Sequence, residues 1–227
     1  MVTLGLDTST KVATIAVVDR SGVIGEYSLS KDMSHSEKLM PMIREVLDNI
    51  DMKIEDIDLF SVGIGPGSFT GLRIGLSTMK SFSHLLKKPI VGVSTLKALA
   101  YNMYGSSSII MPMLDARRDR VYTGLYKFED GVIVEVEEPF ILPIKDIEEK
   151  LGHYERVIIN GSLAYKDEIE SLLPSKVSFG SRGQNINRAT SICEVGMSSF
   201  DKGETDDPFT LIPEYIRETK AERDLKA

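Results

Sequence analysis

Two stretches hold residue types able to do chemistry. Asp7-Thr8-Ser9-Thr10-Lys11 sets a carboxylate at the end of a strand pattern and follows it with three hydroxyls. That order suits a metal-bound phosphate, with the carboxylate for the cation and hydroxyls and N–H groups for the anion. The same residues also make an ordinary Asx or Ser turn. The second stretch, Gly65-Pro66-Gly67-Ser68-Phe69-Thr70-Gly71-Leu72-Arg73-Ile74-Gly75, stops an apolar strand at a Gly-Pro-Gly turn and opens a helix near Thr70. Pro66 fixes its own φ and the flanking glycines tolerate positive φ, so the chain can turn sharply. Ser68 and Thr70 are candidate N-caps.

Other reactive side chains are sparse. His35, His84 and His153 are the three histidines, and no pair has ligand spacing. His35 reads as a helix-start or interface residue. The single cysteine, Cys193, sits among Ile192, Val195 and Met197 in a helical pattern and reads as a buried, inert thiol. No serine or cysteine has a recognisable activating base. The residues supply no metal site and no catalytic set.

The helix after the Gly-Pro-Gly turn, about Gly71 to Lys87, is unusually apolar. At 100° per residue, Leu72, Gly75, Leu76, Met79, Phe82, Leu85, Leu86, Thr78 and Ile74 cover an arc of roughly 200°. A helix lying on one sheet needs a stripe of only about 100°. The surplus predicts a helix with one face on its own sheet and the other on a second protein; enclosure between the sheet and neighbouring loops is the alternative. Gly71 and Gly75, one turn apart, would admit another backbone. A second amphipathic helix carries Leu39, Met42, Ile43, Val46, Leu47 and Ile50 on one face, capped by Ser34 or Ser36, with Pro41 early in it. Its methionines suit an adaptable contact surface.

These helices sit in a chain of 227 residues, 42% hydrophobic and 27% charged, with a net charge of −7. That is the composition of an ordinary globular protein. No apolar run reaches the ~18 residues of a membrane span, and the N-terminus opens directly into a strand, without the pattern of a signal peptide. One cysteine permits no internal disulfide, which fits the cytoplasm. An acidic chain is a poor nucleic-acid binder by itself, so such a role would be shared with a more basic partner.

Met1 to Leu29 predicts a three-strand meander, followed by the helix through Leu39, a strand Leu59–Ile64, the apolar helix, a strand Ile90–Val93 and a helix capped by Ser94 and running to about Tyr104. Gly105-Ser106-Ser107-Ser108 marks a boundary, giving an N-terminal lobe 1–105 and a C-terminal lobe 106–227. The second half repeats the order: strands Ile109–Leu114, Arg120–Phe128 and Val132–Val136, a helix from Pro143 to Leu151, a strand Arg156–Asn160, a helix Tyr165–Leu173, a short strand Val177–Phe179 and a helix Asn185–Phe200. A repeated β-β-β-α-β-α order implies an α/β fold of two lobes with mixed sheets flanked by helices and a cleft between. The tail from Lys202 is charged, its start is expected to be mobile, and Pro213 to Arg217 regains pattern.

Leu4 to Ser9, Ser34-His35-Ser36-Glu37, Gly65 to Gly75, Leu114-Asp115-Ala116-Arg117-Arg118 and Pro213-Glu214-Tyr215-Ile216-Arg217 together resemble the bacterial TsaB (YeaZ) family, in order along nearly the whole chain. The resemblance implies the actin-like ATPase (ASKHA) fold of two ribonuclease-H-like lobes. It also implies a non-catalytic subunit that binds and activates TsaD in forming N6-threonylcarbamoyladenosine at position 37 of ANN-decoding tRNAs. The ATPase TsaE would join the complex, tRNA would be met only through it, and a homodimer would form when TsaD is absent.

In that fold, glycine-rich turns from both lobes hold ATP, because a bare backbone approaches phosphates closely. Here Asp7 to Thr10 contains no glycine, and the second-lobe counterpart, Asp115 to Asp119, carries arginines. Asn160-Gly161-Ser162 has one glycine where a pair is usual. Asp7, Ser9, Thr10 and Asp115 are therefore remnants of phosphate loops, and no cofactor is expected. His35, Leu39, Met42, Ile43, Val46, Gly71, Leu72, Gly75, Met79 and Phe82 are the candidate partner interface. The alternatives are an ATP-dependent kinase or hydrolase with Asp7 and Asp115 as cation-side carboxylates, and, less favoured, a glycoprotease-like peptidase. Arg117, Arg118 and Arg120 either reach a phosphate or form surface ion pairs.

Overall fold

The computed structural model describes residues 1–30 and 35–216, with His35 described by its backbone only. Ser34 and Arg217, named above, fall outside the described residues. Runs of β-branched residues make two five-stranded sheets. The first holds β1 (Val2–Asp7), β2 (Val12–Asp19), β3 (Gly22–Ser30), β4 (Leu59–Gly65) and β5 (Ile90–Ser94) in the order β3-β2-β1-β4-β5. The second holds β6 (Ile109–Asp115), β7 (Arg120–Glu129), β8 (Val132–Pro143), β9 (Val157–Gly161) and β10 (Val177–Phe179) in the order β10-β9-β6-β7-β8. Reversed, the second order matches the first strand for strand. In each sheet an antiparallel meander meets two parallel strands, as the repeated element order predicts.

Three helices follow in each half: α1 (His35–Asn49), α2 (Phe69–Leu86) and α3 (Thr95–Tyr101), then α4 (Ile147–Leu151), α5 (Lys166–Leu172) and α6 (Ala189–Asp201). The last helix of each half crosses over. α6 packs on β1, β2, β4 and β5, and α3 packs on β6 to β9, so the two helices touch between the sheets. Bare backbone permits the close approach of α6, since a Cβ on Gly5 would lie 2.5 Å from Cys193 Sγ. Cys193 is fully buried there, and burial pushes its thiol well up, so it is inert.

Most of the apolar arc of α2 is covered by this chain itself, so its extent alone does not require a second protein; Leu85, 74% exposed, is the part left open. Ser68 caps α2, its Oγ accepting from Gly71 N at 3.3 Å. Leu72, Leu76 and Met79 are buried in the first lobe. Gly71 and Gly75 do admit another backbone, but it is the β1–β2 turn: a Cβ would lie 2.0 Å from Thr8 O at Gly71 and 2.4 Å from Thr8 Oγ1 at Gly75. Phe82 is half-buried and stacks on Phe60, ring centroids 5.9 Å apart.

The other flank of α2 carries the C-terminal segment. Lys80 Nζ donates to Leu211 O at 2.7 Å, His84 meets the Phe209 ring at 4.7 Å, and Tyr215 stacks on Phe69 at 5.4 Å. The start of the tail, expected to be mobile, is tied along the sheet. Asp206 N donates to Ile90 O at 2.9 Å, Gly92 N donates to Asp206 Oδ2 at 2.8 Å, and Glu214 N donates to Ile64 O at 2.8 Å. On α1, Leu39, Met42, Ile43 and Val46 are 2–3% exposed in the first core. Eight of the ten candidate interface residues, Phe82 and His35 apart, are thus buried within the chain.

Candidate functional site

Between the sheets lies a cleft of about 860 Å³. One wall is the β1–β2 turn (Ser9, Thr10, Lys11) with the first turn of α2 (Ser68, Phe69, Thr70). The other is the β6–β7 turn (Asp115, Ala116, Arg117), the end of β9 (Gly161, Ser162) and the segment before α6 (Asn185, Ile186, Asn187). Ser9, Thr10 and Asp115 therefore meet in one place. Asp7 does not line the cleft.

Asp7 lies beneath it, 1% exposed. Its Oδ1 accepts from Ser9 N at 2.7 Å, and its Oδ2 from Asn187 Nδ2 at 2.9 Å and Thr95 Oγ1 at 3.4 Å. Asn187 and Thr95 also reach Ser9 Oγ, each at 3.2 Å. Gly63 packs behind, where a Cβ would lie 2.7 Å from Asp7 Cγ. Burial raises the Asp7 carboxyl above its usual range, and the bonds from Ser9, Asn187 and Thr95 offset only part of that rise. The turn is closed from above as well: Ser68 N donates to Ser9 O at 2.6 Å and Thr8 Oγ1 donates to Gly71 O at 2.7 Å. A carboxylate held this way joins β1, α3 and the approach to α6, and both of its oxygens are already engaged.

Asp115 is the opposite case. It is exposed, and its Oδ1 accepts from Arg117 N at 2.7 Å. Ala116 N closes the hairpin onto Arg120 O at 2.9 Å. Between them Arg117, Arg118 and Asp119 all take the left-handed region, with φ of 64°, 54° and 53°. None is glycine, so each carries a steric cost of about 1–2 kcal/mol. Arg120 Nε is enclosed without an acceptor.

The segment before α6 is pinned by the side-chain amides of Asn102 and Asn160. Asn102 Nδ2 donates to Gln184 O and Ile186 O at 3.1 and 2.8 Å. Asn160 Nδ2 donates to Leu99 O and Gln184 O at 2.7 and 3.0 Å. These bonds hold residues 184–187 as a loop, so α6 starts at Ala189 rather than Asn185, and Ile186 faces the cleft instead of the core. The available signal was the run Gln184-Asn185-Ile186-Asn187, whose amides favour side-chain-to-backbone bonding over helix.

The histidines are not brought to the cleft as a pair: His84 lies against Phe209 and His153 against Tyr154. Among the described residues no group of three or more His, Cys, Asp or Glu could hold a metal ion, and no helix is long and apolar enough to cross a membrane.

Two sheets of this topology, helices between and beside them, and a cleft walled by the turns of both halves define a protein of the actin-like ATPase fold. The likeness extends to a ROK hexokinase from Thermus thermophilus, with a TM-score of 0.54 at 9% identity over 89% of this chain and all of that one. YeaZ from Pseudomonas aeruginosa superposes with a TM-score of 0.81 at 24% identity, covering 94% of this chain and 99% of that one. A family model described as TsaD, tRNA N6-adenosine threonylcarbamoyltransferase, matches residues 22–222. The tRNA threonylcarbamoyladenosine biosynthesis protein TsaB of Bacillus subtilis is 33% identical over 98% of this chain and 96% of its own length. The TsaD model reflects the shared fold, and the full-length relative decides the branch: this chain belongs to the TsaB (YeaZ) family.

Proposed function

We propose that this chain is a non-catalytic partner that binds and activates the TsaD catalytic subunit in forming N6-threonylcarbamoyladenosine on ANN-decoding tRNAs, in the cytoplasm. Family membership supports the pathway. One observation carries the non-catalytic part: Asp7, the carboxylate that would serve a cation, is buried and spent on Ser9, Asn187 and Thr95. No cofactor is assigned, and Ser9, Thr10 and Asp115 are treated as phosphate-loop remnants.

The partner face is assigned to the outward sides of α1 and α2, beside the buried residues that sequence alone selects. Met40 and Leu85 are 50% and 74% exposed there, and His35 opens α1. TsaD would dock on this face, a second copy would take its place when TsaD is missing, and TsaE would join through the complex. The test is threonylcarbamoyl transfer to tRNA by purified TsaD, TsaE and threonylcarbamoyl-adenylate, with and without this chain. Strong stimulation is expected; full transfer in its absence would refute the proposal.

The volume of the cleft favours a second reading, an ATP-dependent enzyme. Calorimetric titration with ATP and Mg²⁺ separates the two, since micromolar binding with turnover would favour the enzyme. A peptidase finds no activated nucleophile among the groups described; cleavage of a pure partner that ends when Ser68 is mutated would revive it.

A further inference from the structure

The β6–β7 turn contains arginines that the fold does not use. Arg117 and Arg118 are exposed, and neither enters an ion pair among the described residues. Surface ion pairing, the ordinary fate of such side chains, therefore does not account for them. Their neighbours Asp115 and Asp119 form no ion pair with them among the described residues, and Asp115 Oδ1 is turned onto the Arg117 N–H. Both arginines sit on left-handed backbone, where glycine would be free of steric cost. Arg117 shares the cleft mouth with Lys11, which is exposed on the opposite wall. In a chain of net charge −7, the turn from Asp115 to Arg120 holds three arginines against two aspartates.

We propose that Arg117 and Arg118, with Lys11 across the cleft, contact backbone phosphates of the RNA substrate directly. Planar guanidinium groups suit phosphate oxygens in pairs, and contacts of this kind position an RNA without reading its bases. An acidic protein surface is the competing occupant. RNA is preferred because the proposed function places this chain beside a tRNA. The inference rests on that function and goes beyond it, since the family resemblance implies tRNA only through the complex.

The test uses the complete assembly with TsaD and a fluorescently labelled tRNA, with affinity measured across a salt series. The informative variant is the double substitution Arg117→Gly with Arg118→Gly, which removes both charges while relieving the backbone, so loss of folding does not confuse the result. A several-fold loss of affinity is expected, with the slope of log K against log salt becoming shallower by about one to two. Arg117→Lys with Arg118→Lys should recover most of the slope. Unchanged affinity and slope in an intact assembly would overturn the proposal. Loss of co-elution with TsaD in the glycine variant would also overturn it, marking the turn as a protein contact. Failure of the unsubstituted chain to co-elute with TsaD would instead defeat the proposed function; the salt series on the free chain would then decide the RNA contact.

Discussion

The β1–β2 turn and the β6–β7 turn occupy equivalent places in two sheets of the same topology, and they have diverged in opposite directions. The first is buried: Asp7 is saturated by three donor groups, and α2 presses its glycines onto Thr8. The second is exposed, strained at three successive residues, and tipped with unpaired arginines. A duplicated fold gives the same geometric opportunity twice. In one half the carboxylate has become part of the structure, and in the other the turn is left facing solvent.

The contrast breaks most severely at Gly71. Gly71→Val would drive a side chain into Thr8 O, and a loss of about 3 kcal/mol or more in denaturant unfolding is expected. Gly75→Arg should do the same, through the core rather than through an interface. Asp7→Ala comes next. It leaves Ser9 N without its acceptor and Asn187 and Thr95 with Ser9 Oγ alone, at a cost of about 2–3 kcal/mol, and greater hydrogen exchange at residues 7–11 and 184–189 should accompany it.

Titration sharpens the comparison further. Because burial raises the folded Asp7 carboxyl above its ordinary value of 3.8, its contribution to stability is fully present below that value. It is lost as pH rises through the raised value. Wild type should therefore lose stability relative to Asp7→Asn as pH climbs from about 3.8 upward, measured as the difference between two urea midpoint curves. The smallest effect has the opposite sign: Arg117→Gly alone should stabilise by about 1 kcal/mol through relief of its left-handed backbone, visible as a small rise in Tm.

The two-lobe fold was legible because its signals are local. β-branched runs, Gly–Pro punctuation and the repeated element order lead to both sheets, and Ser68 and Ser94 cap the helices they were expected to cap. What was not legible depends on distant chain. β8 runs on to Pro143 rather than stopping at Val136, because Pro139, which has no N–H, falls where the register with β7 shifts near Gly124. The apolar arc of α2 was real, but periodicity reports only that a face is buried. It does not say whether Thr8, Leu211 or a foreign protein buries it. In the candidate site, Ser9, Thr10 and Asp115 were visible from their types, whereas Asn187 and Thr95 reach Asp7 across 180 and 88 residues. No spacing argument finds such a pair.

The crossing of α3 and α6 has a practical consequence for dissecting the protein. Cutting the gene at the serine-rich boundary near residue 105 would strip each sheet of the helix that covers it, because α6 belongs to the first sheet by packing and to the second by chain order. Neither fragment expressed singly should stay in solution. Produced together in one cell they should reassemble, each lending the other its missing rod, so the gene can be split there only if both pieces are kept.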